Sequence, residues 1–297
     1  MYCAENPVTI SSHIQLTPLF TACRGQDGAI YGDYLFRFEN DGRCFVFSLK
    51  EQKQIAEFCI DKTDLLKPHS NAVAFGAERY DEADEFPLLY TNIYNNYARQ
   101  EERLEGVCCV YRITRAGHAF SGTLVQVIRI GFVEELQLWK SLPGREDVRP
   151  YGNFVPDVFR DKMYAFLMRD KEQVTRYFSF RLPRLAEGEM CDRWGVRVVT
   201  LQKEDILSQF DDAYMHYMQG ACAYDGKIYS AEGFDMNHPG QVNHPAIRVI
   251  DMDAGKQLQY FDLYARGKTL EPELLDFAGD TLYYMDVTGN TYAVTFE

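Results

Sequence analysis

The stretch QGACAYDGKIYSAEG, Gln219–Gly233, sets an apolar strand, a two-residue turn and a second, aromatic strand side by side. Near the other end of the chain, DGAIYGDYLFRFENDG, Asp27–Gly42, has the same order. Short apolar runs flanking a turn built from Gly with Asp or Lys are the signature of a tight hairpin. The chain therefore repeats one unit.

An aliphatic-aromatic pair marks each copy: Leu35-Phe36, Leu89-Tyr90, Met163-Tyr164, Ile228-Tyr229 and Leu282-Tyr283, with the aromatics 54, 74, 65 and 54 residues apart. Gly32-Asp33, Gly226-Lys227 and Gly279-Asp280 precede three of the pairs, and Asp161-Lys162 stands in for them in the third unit. A third strand follows each pair: CFVFSL from Cys44, CVYRI from Cys109, YFSFRL from Tyr177, IRVIDM from Ile247 and TYAVTF from Thr291. A fourth follows in four units: IAEFCI from Ile55, LVQVIRI from Leu124, VRVVTL from Val196 and LQYFDL from Leu258. The fifth unit ends at Glu297, and HIQLTPL, His13–Leu19, is the candidate for its missing strand.

This pattern predicts an all-β, single-domain chain: a five-bladed β-propeller of four-stranded antiparallel blades, closed by the N-terminal strand. The blades are expected at about 20–60, 69–130, 151–201, 217–263 and 271–297 plus 13–19. Closure follows from burial, because each sheet has two apolar faces and only a ring of sheets covers both. Two stacked β-sandwiches would also give many short strands. A sixth blade would require strands within 131–152, but GFVEELQLWKSLPGREDVRPYG reads as a loop with a short helical turn.

The 297 residues carry 44 acidic and 31 basic side chains, a net charge of −13, which disfavours nucleic acid and anionic membranes and favours neutral or cationic partners. No apolar run is long enough for an integral membrane segment. MYCAENPVTISSHIQ lacks the features of a signal peptide, so the chain reads as cytoplasmic as written, and as secreted or periplasmic if a leader has been removed. The 8 cysteines have no CxxC spacing and read as free structural thiols, with Cys108 and Cys109 on opposite faces of a strand.

The run QGACAYDGKIYSAEGF, AIRVIDMDAGKQLQYFDL and EPELLDFAGDTLYYMD resembles the repeats of YVTN or quinoprotein-like propellers. It is also similar to the five-bladed propeller of teichoic-acid biosynthesis protein C-like proteins and some phage receptor-binding proteins, and to uncharacterised propellers of gut bacteria. The resemblance implies the fold and no particular activity. No pyrroloquinoline-quinone site and no kelch or WD signature is visible, so no cofactor is expected.

In such a ring the innermost strands begin where the connections between blades arrive, and ligands commonly bind there. The polar residues around those starts are the candidate ligand-binding set: Gln26 and Asp27, His69 and Asn71, Asn153 and Asp157, His216 and Gln219, Glu271 and Glu273. Amides, imidazoles and carboxylates suit the hydroxyls of a glycan or another small polar molecule, and a protein partner is the other expectation. The same residues could instead bond loop backbone and water. An enzymatic alternative, a glycoside hydrolase or lyase, would draw two carboxylates from Asp27, Asp157, Glu273 and Asp276. Asp235, His238 and His244 lie in a loop with two His-Pro steps and match no metal signature, so no metal is expected. YNNYARQEERLEG from Tyr94 reads as a solvated connection, and no phosphate loop or nucleophile elbow occurs.

Overall fold

Adjacent residues of a strand point to opposite faces, and each aliphatic-aromatic pair uses this to feed two cores. Leu35 enters the cluster of Leu274 and Met285, whereas Phe36 enters the cluster of Val73 and Leu89. Leu89 shares that second cluster, while Tyr90 enters a third with Phe154 and Met163. Tyr164 joins Ile228 in the next, and Tyr229 joins Leu282 in the one after. Tyr283 packs back against the first, and the circle closes. In every pair the aliphatic residue faces the preceding blade and the aromatic the following one, so five inter-blade cores hold the ring together.

The computed structural model describes residues 10–66, 68–93, 106–132, 153–169 and 173–296. Strand β1 spans Ile14–Thr21. Blade one comprises β2 (Gly28–Tyr31), β3 (Tyr34–Phe38), β4 (Arg43–Ser48) and β5 (Lys53–Cys59). Blade two begins with β6 (Val73–Phe75), β7 (Leu89–Ile93), β8 (Val107–Ala116) and β9 (Ala119–Ile130). Blade three has β10 (Asn153–Asp157), β11 (Lys162–Arg169) and β12 (Val174–Arg181), after which β13 (Glu189–Cys191) and β14 (Val196–Leu201) intervene before its outer strand β15 (Ser208–Ala213). Blade four is β16 (Met218–Tyr224), β17 (Lys227–Glu232), β18 (Ala246–Asp251) and β19 (Lys256–Asp262). Blade five is β20 (Pro272–Ala278), β21 (Thr281–Asp286) and β22 (Asn290–Phe296), and β1 completes it, running antiparallel to β22 from Ile14 opposite Phe296 to Thr21 opposite Asn290. The fold is thus a five-bladed propeller closed by the N-terminal strand.

One strand assignment is corrected. VRVVTL does not form the outer strand of blade three; as β14 it lies parallel to β9, with Arg197 opposite Gln126, and makes blade two six-stranded together with β13. The Gln126 side-chain amide donates to the Arg184 carbonyl at 2.7 Å, pinning the excursion to blade two. The true outer strand, SQFDDA, is largely exposed and polar and pairs with β12.

Cys108 and Cys109 enter different inter-blade cores, and the described cysteines are all free thiols. Among the described residues no helix is long and apolar enough to cross a membrane. Residues 133–152 and 94–105, which carry the expected loops after blade two and within it, and Cys3 lie outside the described residues.

Candidate functional site

The inner strands β2, β6, β10, β16 and β20 surround the axis. Asp27, fully buried just before β2, crosses it: its Oδ2 accepts the amide of Val73 at 2.9 Å and that of Ala221 at 3.4 Å. One carboxyl therefore joins blades one, two and four. Gly220 makes this possible, because a Cβ there would run into the carbonyl oxygen of Glu273 and lie 3.0 Å from Asp27 Oδ1. The Asp27 carboxyl thus spans the axis at this level. Gly220→Ala should cost about 1–3 kcal/mol through overpacking, read as a lower urea midpoint; an unchanged midpoint would show that the axis can expand.

The other axial side chains continue the stitching. Asn92 Oδ1 accepts the amide of Phe154 at 3.1 Å, tying blade two to three, and Asp157 Oδ2 accepts that of Gly226 at 2.6 Å, tying three to four. Gln219 donates its amide to Glu271, tying four to five, and Asp276 Oδ2 accepts the amide of Ile30 at 2.7 Å, tying five to one. Each blade is bonded to the next by a polar side chain, in series with the apolar cores.

At the entry end, where the inner strands begin, polar groups are buried without full pairing. The fully buried Arg37 donates Nη2 to the carbonyls of Gly25 at 2.5 Å and Asp286 at 3.1 Å. Its Nε and Nη1 find no partner among the described residues, nor do Asp27 Oδ1, Glu273 Oε2, Asn71 Oδ1 and Asn92 Nδ2. The Glu273 and Asp27 charges act on the Arg37 guanidinium, which burial disfavours. Burial also pushes the carboxyls of Asp27 and Glu273 well up. Glu271 is pushed up to about 7 by burial and then by the charge of Asp235, and burial takes Asp276 to about 7.

These shifts fix the sign of the pH dependence. Unfolded carboxyls release their protons near about pH 4, whereas Glu271 and Asp276 hold theirs to about 7 in the folded chain. Over that interval the folded state binds more protons, so stability falls as pH rises. His69, held down to about 4 by burial, works the other way, losing stability as pH falls through its unfolded value. The carboxyls outnumber it, and the thermal midpoint is expected to be higher at about pH 5 than at about pH 8. A midpoint that rises over that interval would contradict the raised carboxyls.

The entry end gathers Asp27, Asn71, Asn153, Gln219, Glu271 and Glu273; Asn71 Nδ2 donates to Asn153 Oδ1 at 3.4 Å. Gln26 and His69 are half-buried beside them, Gln26 donating its backbone N–H to the Phe38 carbonyl. One residue departs from expectation, and another stands apart from the buried set at the start of its strand. Asp157 closes β10 rather than opening it, and so sits at the opposite, exit end, where Tyr164 also donates to it at 3.1 Å. His216 is exposed and lines a pocket on blade four with Glu232, Asn243, His244 and Tyr260. His244 bonds Asp262 at 3.3 Å, and among the described residues no group of three His, Cys, Asp or Glu is placed to hold a metal ion. Sequence reasoning missed Arg37, Asn92 and Asp286. A single arginine inside the otherwise apolar YLFRF was a usable signal for the first.

No family model and no curated protein matches the chain. Among solved structures it is similar to the glutaminyl cyclase of Myxococcus xanthus, 11% identical over 97% of each chain with a TM-score of 0.47. It is also similar to the Cps50 (Swd1) β-propeller domain of Myceliophteria thermophila, 8% identical over 92% of this chain and 83% of that one with a TM-score of 0.39. BamB from Moraxella catarrhalis is 10% identical, over 91% of this chain and 71% of that one, with a TM-score of 0.35. Likenesses this distant carry no argument about activity; the propeller is established by the chain's own sheet order and cores.

Proposed function

We propose that the chain is a non-catalytic binding propeller that holds a small polar ligand of the sugar class at its entry end. The carrying observation is the set of buried polar atoms there, both donors (Arg37 Nε and Nη1, Asn92 Nδ2) and acceptors (Asp27 Oδ1, Asn71 Oδ1, Glu273 Oε2), that the described residues leave without partners. Buried polar groups are as a rule hydrogen-bonded, and a sugar hydroxyl both donates and accepts. A non-catalytic role is supported by the acids themselves, since Asp27, Asp157 and Asp276 are committed to amides of other blades.

The test is a thermal-shift screen of the full chain against mono- and oligosaccharides, with hits followed by titration of Glu273→Gln. The reading expects a midpoint rise from a sugar that is recovered unchanged, weakened in the variant. A silent panel would sink the sugar class and turn attention to a protein partner. One observation favours the enzymatic reading: Glu271, half-buried and pushed up to about 7, has the poise of a general acid, with Glu273 two residues along the strand. Consumption of the sugar, abolished by Glu271→Gln, would replace binding by catalysis.

A further inference from the structure

At the exit end three inner strands finish near one another, β2 at Tyr31, β6 at Phe75 and β10 at Asp157. Tyr31 itself, Ala77 and Arg79 after β6, Pro87 before β7, and Val158 and Phe159 after β10 wall a hollow of about 240 Å³. Phe159 meets Tyr224 at 4.8 Å between ring centres and is still 37% exposed. Arg79 is the charged residue of the wall. Its Nε donates to the carbonyl of Asp84 at 2.9 Å, and its Nη2 donates to the Tyr31 hydroxyl at 2.6 Å and to the carbonyl of Glu85 at 3.4 Å. All three acceptors are neutral. Among the described residues Nη1 has no acceptor and no carboxylate pairs with the guanidinium, because the acids beside it serve other arginines: Asp84 pairs with Arg112 at 2.6 Å and Glu85 with Arg115 at 2.8 Å. Three arginines share two carboxylates, and the one left over faces the hollow.

A guanidinium bonded only to neutral acceptors keeps its full charge, and its planar array of donors suits a carboxylate. Small-ligand sites are concave and mostly apolar, with a few fixed polar groups that set orientation. This hollow has that make-up: one arginine, held in place by three bonds, among a proline, a valine and two aromatic rings. We infer that it binds a small monocarboxylate with an apolar or aromatic body, the carboxylate on Arg79 and the body against Pro87, Val158 and Phe159. The net charge of −13 opposes an anion at long range. That field is screened beyond about 8 Å in physiological salt, and the charges of Asp84 and Glu85 are already met by Arg112 and Arg115. This site is separate from the entry end and stands or falls independently of the sugar reading.

The experiment is calorimetric titration of the full chain at neutral pH with phenylacetate, with phenylacetamide, its uncharged isostere, and with acetate, which has the charge without the ring. Phenylacetate should bind about tenfold more tightly than either comparison compound. Phe159→Ala, at an exposed position, should weaken phenylacetate about threefold or more, and Arg79→Gln should remove the preference over phenylacetamide. Several results would overturn the inference: no saturable phenylacetate binding, equal binding of phenylacetate and either comparison compound, phenylacetate affinity unchanged in Phe159→Ala, or a preference for the charged compound that survives in Arg79→Gln. Arg79 also holds the carbonyls of Asp84 and Glu85, so if Arg79→Gln fails to fold, the comparison of the three compounds and Phe159→Ala decide alone.

Discussion

Asp27→Ala is expected to lower the unfolding free energy by about 2–6 kcal/mol, because it strips the acceptor from two buried strand amides at about 1–3 kcal/mol each. Those amides belong to Val73 and Ala221, in blades two and four, so the loss falls on the axis where the ring converges. Such a loss is a large part of the stability of an ordinary domain. Asp27→Asn should behave differently. Burial raises the carboxyl well above the usual carboxylate range in the folded chain, and an asparagine oxygen can take over the bond to Val73 at a cost of about 1 kcal/mol or less. Urea unfolding of the three proteins checks this through the midpoint, with an unchanged slope showing that the folded state is intact. The Asn variant should also show a smaller fall in stability between about pH 5 and about pH 8, since one proton-holding group is gone. An alanine variant within about 0.5 kcal/mol of the parent would mean that Asp27 does not tie the blades.

The architecture was legible because the signal for it is repeated. Each aliphatic-aromatic pair had to serve two cores, so neither residue could become polar, and five such pairs leave a periodicity that turn residues punctuate. The outer strand of blade three was illegible for the opposite reason. SQFDDA lies at a solvated edge where Phe210 alone packs against a core and its neighbours are polar, while VRVVTL is an apolar strand that fits the edge of either neighbour. Pairing with β9 is long-range, and local pattern carries no information about it. The site was half legible. Position at the start of an inner strand found Asp27, Asn71, Asn153, Gln219, Glu271 and Glu273, but it could not distinguish a carboxyl that faces a ligand from one that accepts a neighbouring blade's amide. Asp157 shows the limit: an inner strand of five residues places its first and last side chains at opposite ends of the ring, and a boundary error of that size moves a residue from one end to the other.

The second large effect is expected in blade four. Arg248 and Glu232 are each 5% exposed and meet through two bonds, Nη2 to Oε1 at 2.8 Å and Nε to Oε2 at 3.2 Å. Arg248 also donates Nη1 to Gln257 at 2.6 Å, and it reaches the carbonyls of Ala213 and Tyr214 at 3.3 Å, where blade three hands the chain to blade four. Arg248→Met leaves a buried carboxylate without its cation and should cost about 3–5 kcal/mol. Adding Glu232→Leu removes the orphaned charge, and a buried pair exchanged for apolar side chains is often close to neutral. Here the recovery should be incomplete, by about 1–3 kcal/mol, because the two carbonyls still lack their donor. A double-mutant cycle in urea separates the contributions. Strong coupling with partial recovery is the expected result. Full recovery would confine the role of Arg248 to neutralising Glu232, and equal losses in single and double variants would show that its bonds to the blade junction, rather than the ion pair, hold blade four in place.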